Sequence, residues 1–410
     1  MKYVVVLADG MADYPIESLG GKTPLEAAHT PAFDYIAQNG VMGLVHTIPA
    51  GMTPGSDTAN MSVLGYDPSV FYRGRSPFEA ASIGIAMAEG DVSFRMNLVT
   101  LREDKNNSAY SELYMDDHSS DEISTAEAEL LVEELKPLVA KYPDIELHSG
   151  VSYRHIFLWK NNASKLEDYS LTPPHDIIGK KITEYLPKGA NADVIGEFMQ
   201  ASKAVLDNSE VNKKRIANGK RPANSAWIWG EGRKPSIPAY YEKYGVSGAV
   251  ISAVDLIKGL GICAGLDSID VEGVTGNYKT NYKGKADAAL KALREGKDFV
   301  FVHIEAPDEC GHRNELDNKI TAIEKIDSEI TAYIIDELSK LNEDFSIMVL
   351  PDHPTPIALR THTSDAVPFT IFRSNSSIEG KHYTYCESNA AKTGIVVENG
   401  HELMKNFLNG

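Results

Sequence analysis

Short apolar runs that stop abruptly at Asp, His or Pro punctuate this chain. Residues 2–8 end at Asp9, residues 299–304 lead to Pro307, Asp308 and, four positions on, His312, and residues 347–350 end at Pro351, Asp352 and His353. Runs this short and this continuous predict buried parallel strands. Their polar residues then fall at strand C-termini, the edge of an open α/β sheet where ligands bind. Between these runs the pattern predicts a turn at Gly20-Gly21, a helix over 25–39, a strand over 40–47 and a Pro/Gly/Ser/Thr loop over 49–57. That loop feeds a helix over 57–65, with Ser56 or Asp57 near its N-cap. Further strands are expected over 94–101, 151–159, 248–252, 346–350 and 367–372, and helices over 124–139 and 321–341.

The β/α alternation at the two ends of the chain differs from its mixed middle. The economical architecture is α/β: a discontinuous domain of residues 1–75 and 245–410, built on a mostly parallel sheet flanked by helices in a βαβ series. A domain of α+β character at 76–244 is inserted into it. At 410 residues the chain exceeds the size at which a single core usually splits.

Composition narrows the partners. The net charge of −18 argues against nucleic acid or an anionic membrane as the main partner. An anionic small substrate remains compatible, because local cations reverse the field inside a cleft. Three scattered cysteines suit a reducing cytoplasm better than a disulfide framework. No basic leader precedes the first strand and no apolar stretch reaches the ~18 residues of a membrane span, so a cytoplasmic location is expected. The acidic surface is compatible with a monomer or a weak homo-oligomer.

The strand-end residues carry the chemistry. Asp308 and His312 would share a helical face and could grip one ion. The adjacent pair Asp352-His353 makes sense if two ions lie side by side. His362, in Arg360-Thr361-His362-Thr363, gains meaning from the other five. Asp9, Asp308, Asp352, His312, His353 and His362 together suit two divalent cations, Mn²⁺ or Zn²⁺ rather than Ca²⁺. Ser56, in Pro54-Gly55-Ser56-Asp57, is the candidate nucleophile, with helix N–H groups beside it to hold a phosphate. The pattern points to two-metal phosphoryl transfer. Gly21-Lys22-Thr23 looks like the tail of a P-loop, but Ile16 stands where its first Gly belongs.

Beyond these residues, Leu19-Gly20-Gly21-Lys22-Thr23-Pro24-Leu25, Leu64-Gly65-Tyr66-Asp67-Pro68, Tyr72-Arg73-Gly74-Arg75-Ser76-Pro77-Phe78, Val151-Ser152-Tyr153-Arg154-His155 and Trp227-Ile228-Trp229-Gly230-Glu231-Gly232 add a likeness over nearly the whole length. The chain resembles the archaeal-type cofactor-independent phosphoglycerate mutases of the alkaline phosphatase superfamily, a group that includes proposed homoserine kinases. The resemblance implies an alkaline-phosphatase-like metal domain with an inserted lid. It implies one metal on Asp9, Ser56, Asp352 and His353, and a second on Asp308, His312 and His362. The metals would be Mn²⁺ or Zn²⁺, or Mg²⁺ in cells. It further implies a phosphoserine at Ser56, His118 as acid/base, and Arg154 and Lys243 as substrate contacts. The reaction would be the glycolytic exchange of 2- and 3-phosphoglycerate without 2,3-bisphosphoglycerate. Ala12-Asp13 departs from the second Gly-Asp pair usual in the family. Acceptor identity therefore stays open between the mutase, a homoserine-kinase-like phosphotransferase and a metallophosphatase acting on a small phosphate ester.

Overall fold

The computed structural model describes residues 1–104, 109–163, 169–189, 192–376 and 383–409. Two compact units result: Met1–Tyr72 with Ser236–Gly410, and Arg73–Pro235. The return to the first unit thus comes at 235/236 rather than 244/245. The cause is the helix Tyr240–Tyr244, which belongs to the first unit. Tyr240 is fully buried there and stacks on Phe299 with centroids 4.8 Å apart, while the Tyr66 hydroxyl donates to the Pro238 carbonyl at 2.8 Å. The first crossing lies at 72/73, three residues before the expected 75/76.

The first unit holds an eight-stranded sheet. Its order is Val396–Val397, Val41–Val45, Val367–Arg373, Phe345–Leu350, Lys2–Ala8, Phe299–Ile304, Gly248–Ile251 and Asp267–Ser268. Lys2–Ala8 runs parallel to both neighbours, with Leu7 level with His303 on one side and Leu350 on the other. Val4, Val6, Val300, Val302, Ile347 and Val349 share one core with residues of the helices Pro31–Gln38, Tyr282–Arg294 and Leu316–Lys325. Burying both faces is what makes these strands read as continuous apolar runs.

Three expectations change. The helix over 25–39 is two helices, Pro24–Ala27 and Pro31–Gln38. Pro31 cannot donate into a continuing helix and drives Thr30 out of helical geometry, to φ −129° and ψ 62°. Val367–Arg373 runs antiparallel to both its neighbours instead of extending the parallel series. No helix lies between residues 350 and 367 to carry a parallel crossover, so the strand comes back alongside its predecessor. The helix over 321–341 begins at Leu316 and widens into a π-helical segment, Ile326–Ala332. There the buried Asp327 accepts from the Ala32 and Phe33 N–H groups at 3.3 and 2.7 Å, closing the N-terminus of Pro31–Gln38.

The second unit is an antiparallel sheet built around Val92–Arg102, which pairs with Tyr114–Asp117, Arg154–Trp159 and Ser225–Arg233. The strand expected from 151 starts at Arg154, because Ser152 turns through φ +56°. Val92, Phe94, Met96 and Leu98 face a core shared with the helices Thr125–Val139 and Ala192–Leu206. Strand alternation then sends Ser93, Arg95 and Asn97 to the other face.

Gly261, on the helix Asp255–Cys263, marks a tight contact in the first unit: a Cβ there would sit 2.4 Å from Val250 Cγ1. Alanine would gain about 1 kcal/mol of helix propensity. Overpacking costs about 1–3 kcal/mol. Gly261→Ala is therefore expected to lower stability by about 1 kcal/mol in urea unfolding. An unchanged or higher midpoint would show that the contact yields.

Candidate active site

Register places the candidate residues. Because Lys2–Ala8, Phe299–Ile304 and Phe345–Leu350 are parallel neighbours, Asp9, the helix Ala306–Arg313 and Asp352-His353 follow the same sheet edge. Gly10 lets the first tip approach closely. It has φ +63°, and a Cβ there would lie 2.6 Å from Asp308 Cα.

Two sets of ligand atoms form. Asp9, Asp352 and His353 make one, all buried, and Asp308, His312 and His362 make the other. In the second set His312 Nε2 is 3.2 Å from Asp308 Oδ2, His362 Nε2 is 3.3 Å from Asp308 Oδ1, and the two Nε2 atoms are 2.9 Å apart. The His353 and His362 rings, with centroids 4.1 Å apart, join the sets. Ser56 is the first residue of the helix Ser56–Val63, with Gly55 as N-cap, so its hydroxyl is not used in capping. Ser56 Oγ lies 3.2 Å from His353 Nε2 and 3.5 Å from Asp9 Oδ2, which places it with the first set.

The electrostatics suit cations. Burial, reinforced by Asp352, Asp308 and Glu305, pushes the Asp9 carboxyl well above its ordinary range. Asp9 Oδ1 is buried with no hydrogen-bond partner. Burial also opposes ionisation of Asp308, but His312 and His362 hold its carboxyl well below the usual value. The hydrogen bond to Asp308 in turn lifts His312 to about 9. Clustered carboxylates in a low-dielectric pocket, one with an unpartnered oxygen and all beside imidazole nitrogens, fit divalent cations.

The supporting side chains escaped the sequence reading. Asn60 Nδ2 donates to Asp352 Oδ2 at 2.8 Å and to the Ser56 carbonyl at 2.9 Å. The Thr355 hydroxyl donates to Asp308 Oδ1 and lies 3.3 Å from His353 Nδ1, so it touches both sets. Lys319, fully buried, bonds to Asp13 at 2.7 Å and to the Thr355 carbonyl at 2.9 Å, anchoring that loop. Asp13 is thus the partner of a buried lysine. His303, also fully buried, meets Asp9 Oδ2 at 3.0 Å; burial, then the nearby Lys285, lowers its pKa to about 3. One signal could have revealed it: a single polar residue inside an apolar strand must find partners.

The remaining candidates stand elsewhere. Lys243 donates to the Gly65 carbonyl and lies 4.6 Å from the centre of the Tyr66 ring, rather than bonding Ser56. His118 and Arg154 are in the second unit and flank Tyr153, at 5.6 Å between ring centroids and 5.3 Å from guanidinium to ring. His118 Nδ1 is buried without a hydrogen-bond partner. Arg95 stacks over Trp229 at 4.1 Å and bonds Glu79 at 2.8 Å, and Arg75 bonds the other Glu79 oxygen at 3.0 Å. Although burial opposes it, the charges of Arg95, Arg75 and Arg154 keep the Glu79 carboxyl below its ordinary range. Arg95 and Arg75 thus bond this acid, and Arg154 adds its charge to the same surroundings.

A family model described as 2,3-bisphosphoglycerate-independent phosphoglycerate mutase matches residues 37–212. The mutase of that description from Methanosarcina barkeri is 47% identical over 404 residues, 98% of each chain. Among solved structures, a Pyrococcus horikoshii protein superposes with TM-score 0.81 at 29% identity, covering 100% of this chain and 96% of its own. The cofactor-independent phosphoglycerate mutase of Thermoplasma acidophilum gives TM-score 0.67 at 25% identity, covering 100% and 99%. With that identity sustained over nearly its whole length, the chain belongs to the 2,3-bisphosphoglycerate-independent phosphoglycerate mutase family.

Proposed function

We propose that the chain interconverts 2-phosphoglycerate and 3-phosphoglycerate by passing the phosphoryl group through Ser56. The supporting observation is the position of Ser56 Oγ, 3.2 Å from His353 Nε2 at a helix N-terminus with its hydroxyl free of capping. Full-length relatives carry the mutase name, which disfavours the homoserine-kinase-like and phosphatase alternatives.

Ser56 Oγ bonds to phosphorus as the bond to the glycerate oxygen breaks. The seryl proton ends on that oxygen, so charge balances. The other glycerate hydroxyl then attacks phosphorus, the bond to Ser56 Oγ breaks, and the proton of the attacking hydroxyl returns to Ser56. Backbone N–H groups in the first turn of Ser56–Val63 hold phosphoryl oxygens. Asp9, Ser56, Asp352 and His353 would hold one divalent cation, and Asp308, His312 and His362 a second. Such cations, Mn²⁺ or Zn²⁺, or Mg²⁺ in cells, lower the pKa of a serine hydroxyl and neutralise phosphoryl charge. Asp352 is held from both sides, by the Gly10 N–H at 3.1 Å and Asn60 at 2.8 Å, so its position is set before substrate arrives.

We assign substrate binding to the second unit. Its arginine-rich face suits the glycerate carboxylate, with Arg154 as a planar fork and His118 as proton carrier. Lys243, lowered in pKa by its burial, would need to release Gly65 to reach a phosphate. The reaction belongs to glycolysis and to the cytoplasm where its substrates are. Among the described residues no helix is long and apolar enough to cross a membrane. The state in solution is taken as monomer or weak homo-oligomer.

Ser56→Ala should reduce turnover by at least about 10³-fold in an enolase-coupled assay from 3-phosphoglycerate without 2,3-bisphosphoglycerate. It should also abolish the phosphate-sized mass increment on quenched enzyme. Retained turnover in this variant would sink the phosphoserine route. Chelation should silence the wild type and added Mn²⁺ should restore it. Asp308→Ala should take up one Mn²⁺ instead of two and lose at least about 10²-fold in rate. Full activity after exhaustive chelation would exclude the two-metal reading.

A further inference from the structure

We infer that His303, held in one tautomer by Ser252, is a positioning residue that aims Asp9 at the cation, an inference that rests on Asp9, Asp352 and His353 being a ligand set. His303 is the one polar side chain of the strand Phe299–Ile304, and it is fully buried. An imidazole in such a place is costly unless both ring nitrogens are bonded. Both are: Nδ1 lies 3.1 Å from Ser252 Oγ, and Nε2 lies 3.0 Å from Asp9 Oδ2.

The proton positions follow from the neighbours. A carboxyl that holds a cation is ionised, and were Nδ1 then the only protonated nitrogen, the Nε2 lone pair would face a carboxylate oxygen at 3.0 Å, two acceptors in repulsion. Nε2 therefore carries the hydrogen and donates it to Asp9. Nδ1 is left as an acceptor, and the Ser252 hydroxyl supplies the donor. The Val254 N–H donates to Ser252 Oγ at 3.0 Å, which orients that hydroxyl. The buried Lys285 ammonium donates to the carbonyl oxygen of His303 itself at 2.6 Å, which ties the backbone at this position.

The relay runs across the sheet. Ser252 follows Gly248–Ile251, His303 lies near the end of Phe299–Ile304, and Asp9 follows Lys2–Ala8, on three adjacent parallel strands. Its effect falls on one atom. With Asp9 Oδ2 clamped, the carboxylate cannot rotate freely, and Oδ1 is presented without a hydrogen-bond partner, 3.6 Å from His353 Nε2. Partners of this kind, one bond removed from a ligand atom, typically change metal affinity by about 10–100-fold.

The test is calorimetric titration of metal-free protein with Mn²⁺, comparing wild type with His303→Ala, His303→Gln and Ser252→Ala, each checked for fold by circular dichroism. His303→Ala should weaken one of the two binding steps by about 10–100-fold and spare the other. His303→Gln, whose amide N–H can still reach Asp9, should recover most of the loss. Ser252→Ala should weaken the same step, but less. Unchanged steps in His303→Ala, equal weakening of both steps, or no recovery in His303→Gln would overturn the inference. If His303→Ala does not fold, the other two variants decide: a step in Ser252→Ala matching wild type would overturn it. A wild type that takes up no Mn²⁺ would overturn the two-metal reading itself.

Discussion

The parallel register of three neighbouring strands is the constraint on which the active site depends. Leu7 lies level with both His303 and Leu350. Asp9, Asp308 and Asp352 are scattered through the chain, yet each emerges within a few residues of the same line of backbone hydrogen bonds. A one-residue slip of any strand would exchange the side chains of its two faces, each of which packs against different neighbours. The two-sided, mostly apolar packing of Val4–Ala8, Phe299–Ile304 and Phe345–Leu350, buried throughout, makes such a slip expensive, so the core that stabilises the sheet also holds the geometry of the edge.

That edge gathers more negative charge than its surroundings can ionise comfortably. The structure answers by specialising each carboxylate. Asp352 takes three donors, from Gly10, His353 and Asn60. Asp308 takes the Thr355 hydroxyl and the two imidazoles of its own set. Asp9 takes His303 on one oxygen and leaves the other bare. Asp13, nearby in sequence, is removed from this competition by Lys319. A buried pair of this kind adds little net stability. Its place in the fold explains it better: Lys319 also bonds the Thr355 carbonyl, and Thr355 touches both ligand sets.

The second unit solves a different problem with the same alternation of strand faces. Val92–Arg102 buries Phe94, Met96 and Leu98, and so must present Arg95 and Asn97 opposite. Trp229 caps that polar face, donating to Asn97 Oδ1 at 3.0 Å while lying under the Arg95 guanidinium. Asn97 in turn bonds the His118 carbonyl, which sets the loop that carries this histidine. An arginine stacked and paired in this way is held rigidly in place.

Short apolar runs ending at Asp, His or Pro were enough to read the parallel core and the edge at which the candidate ligands gather, because two-sided burial leaves a continuous hydrophobic signature. The likeness of motifs supplied the family and singled out Ser56 as the candidate nucleophile. Spacing could not show that Pro31 splits a helix, that Val367–Arg373 returns antiparallel, or that the helix Tyr240–Tyr244 belongs to the first unit. Those outcomes rest on crossover length and on aromatic packing between residues far apart in sequence. The same holds for Asn60, Ser252, His303, Lys319 and Thr355. Apart from His303, whose lone polar position in an apolar strand is a signal, each reads as an ordinary core or loop residue along the chain. Each becomes part of the site only when folding brings it within hydrogen-bond reach of a buried carboxylate, or of the residue that bonds one, since a partner's direction is a property of three dimensions and not of spacing.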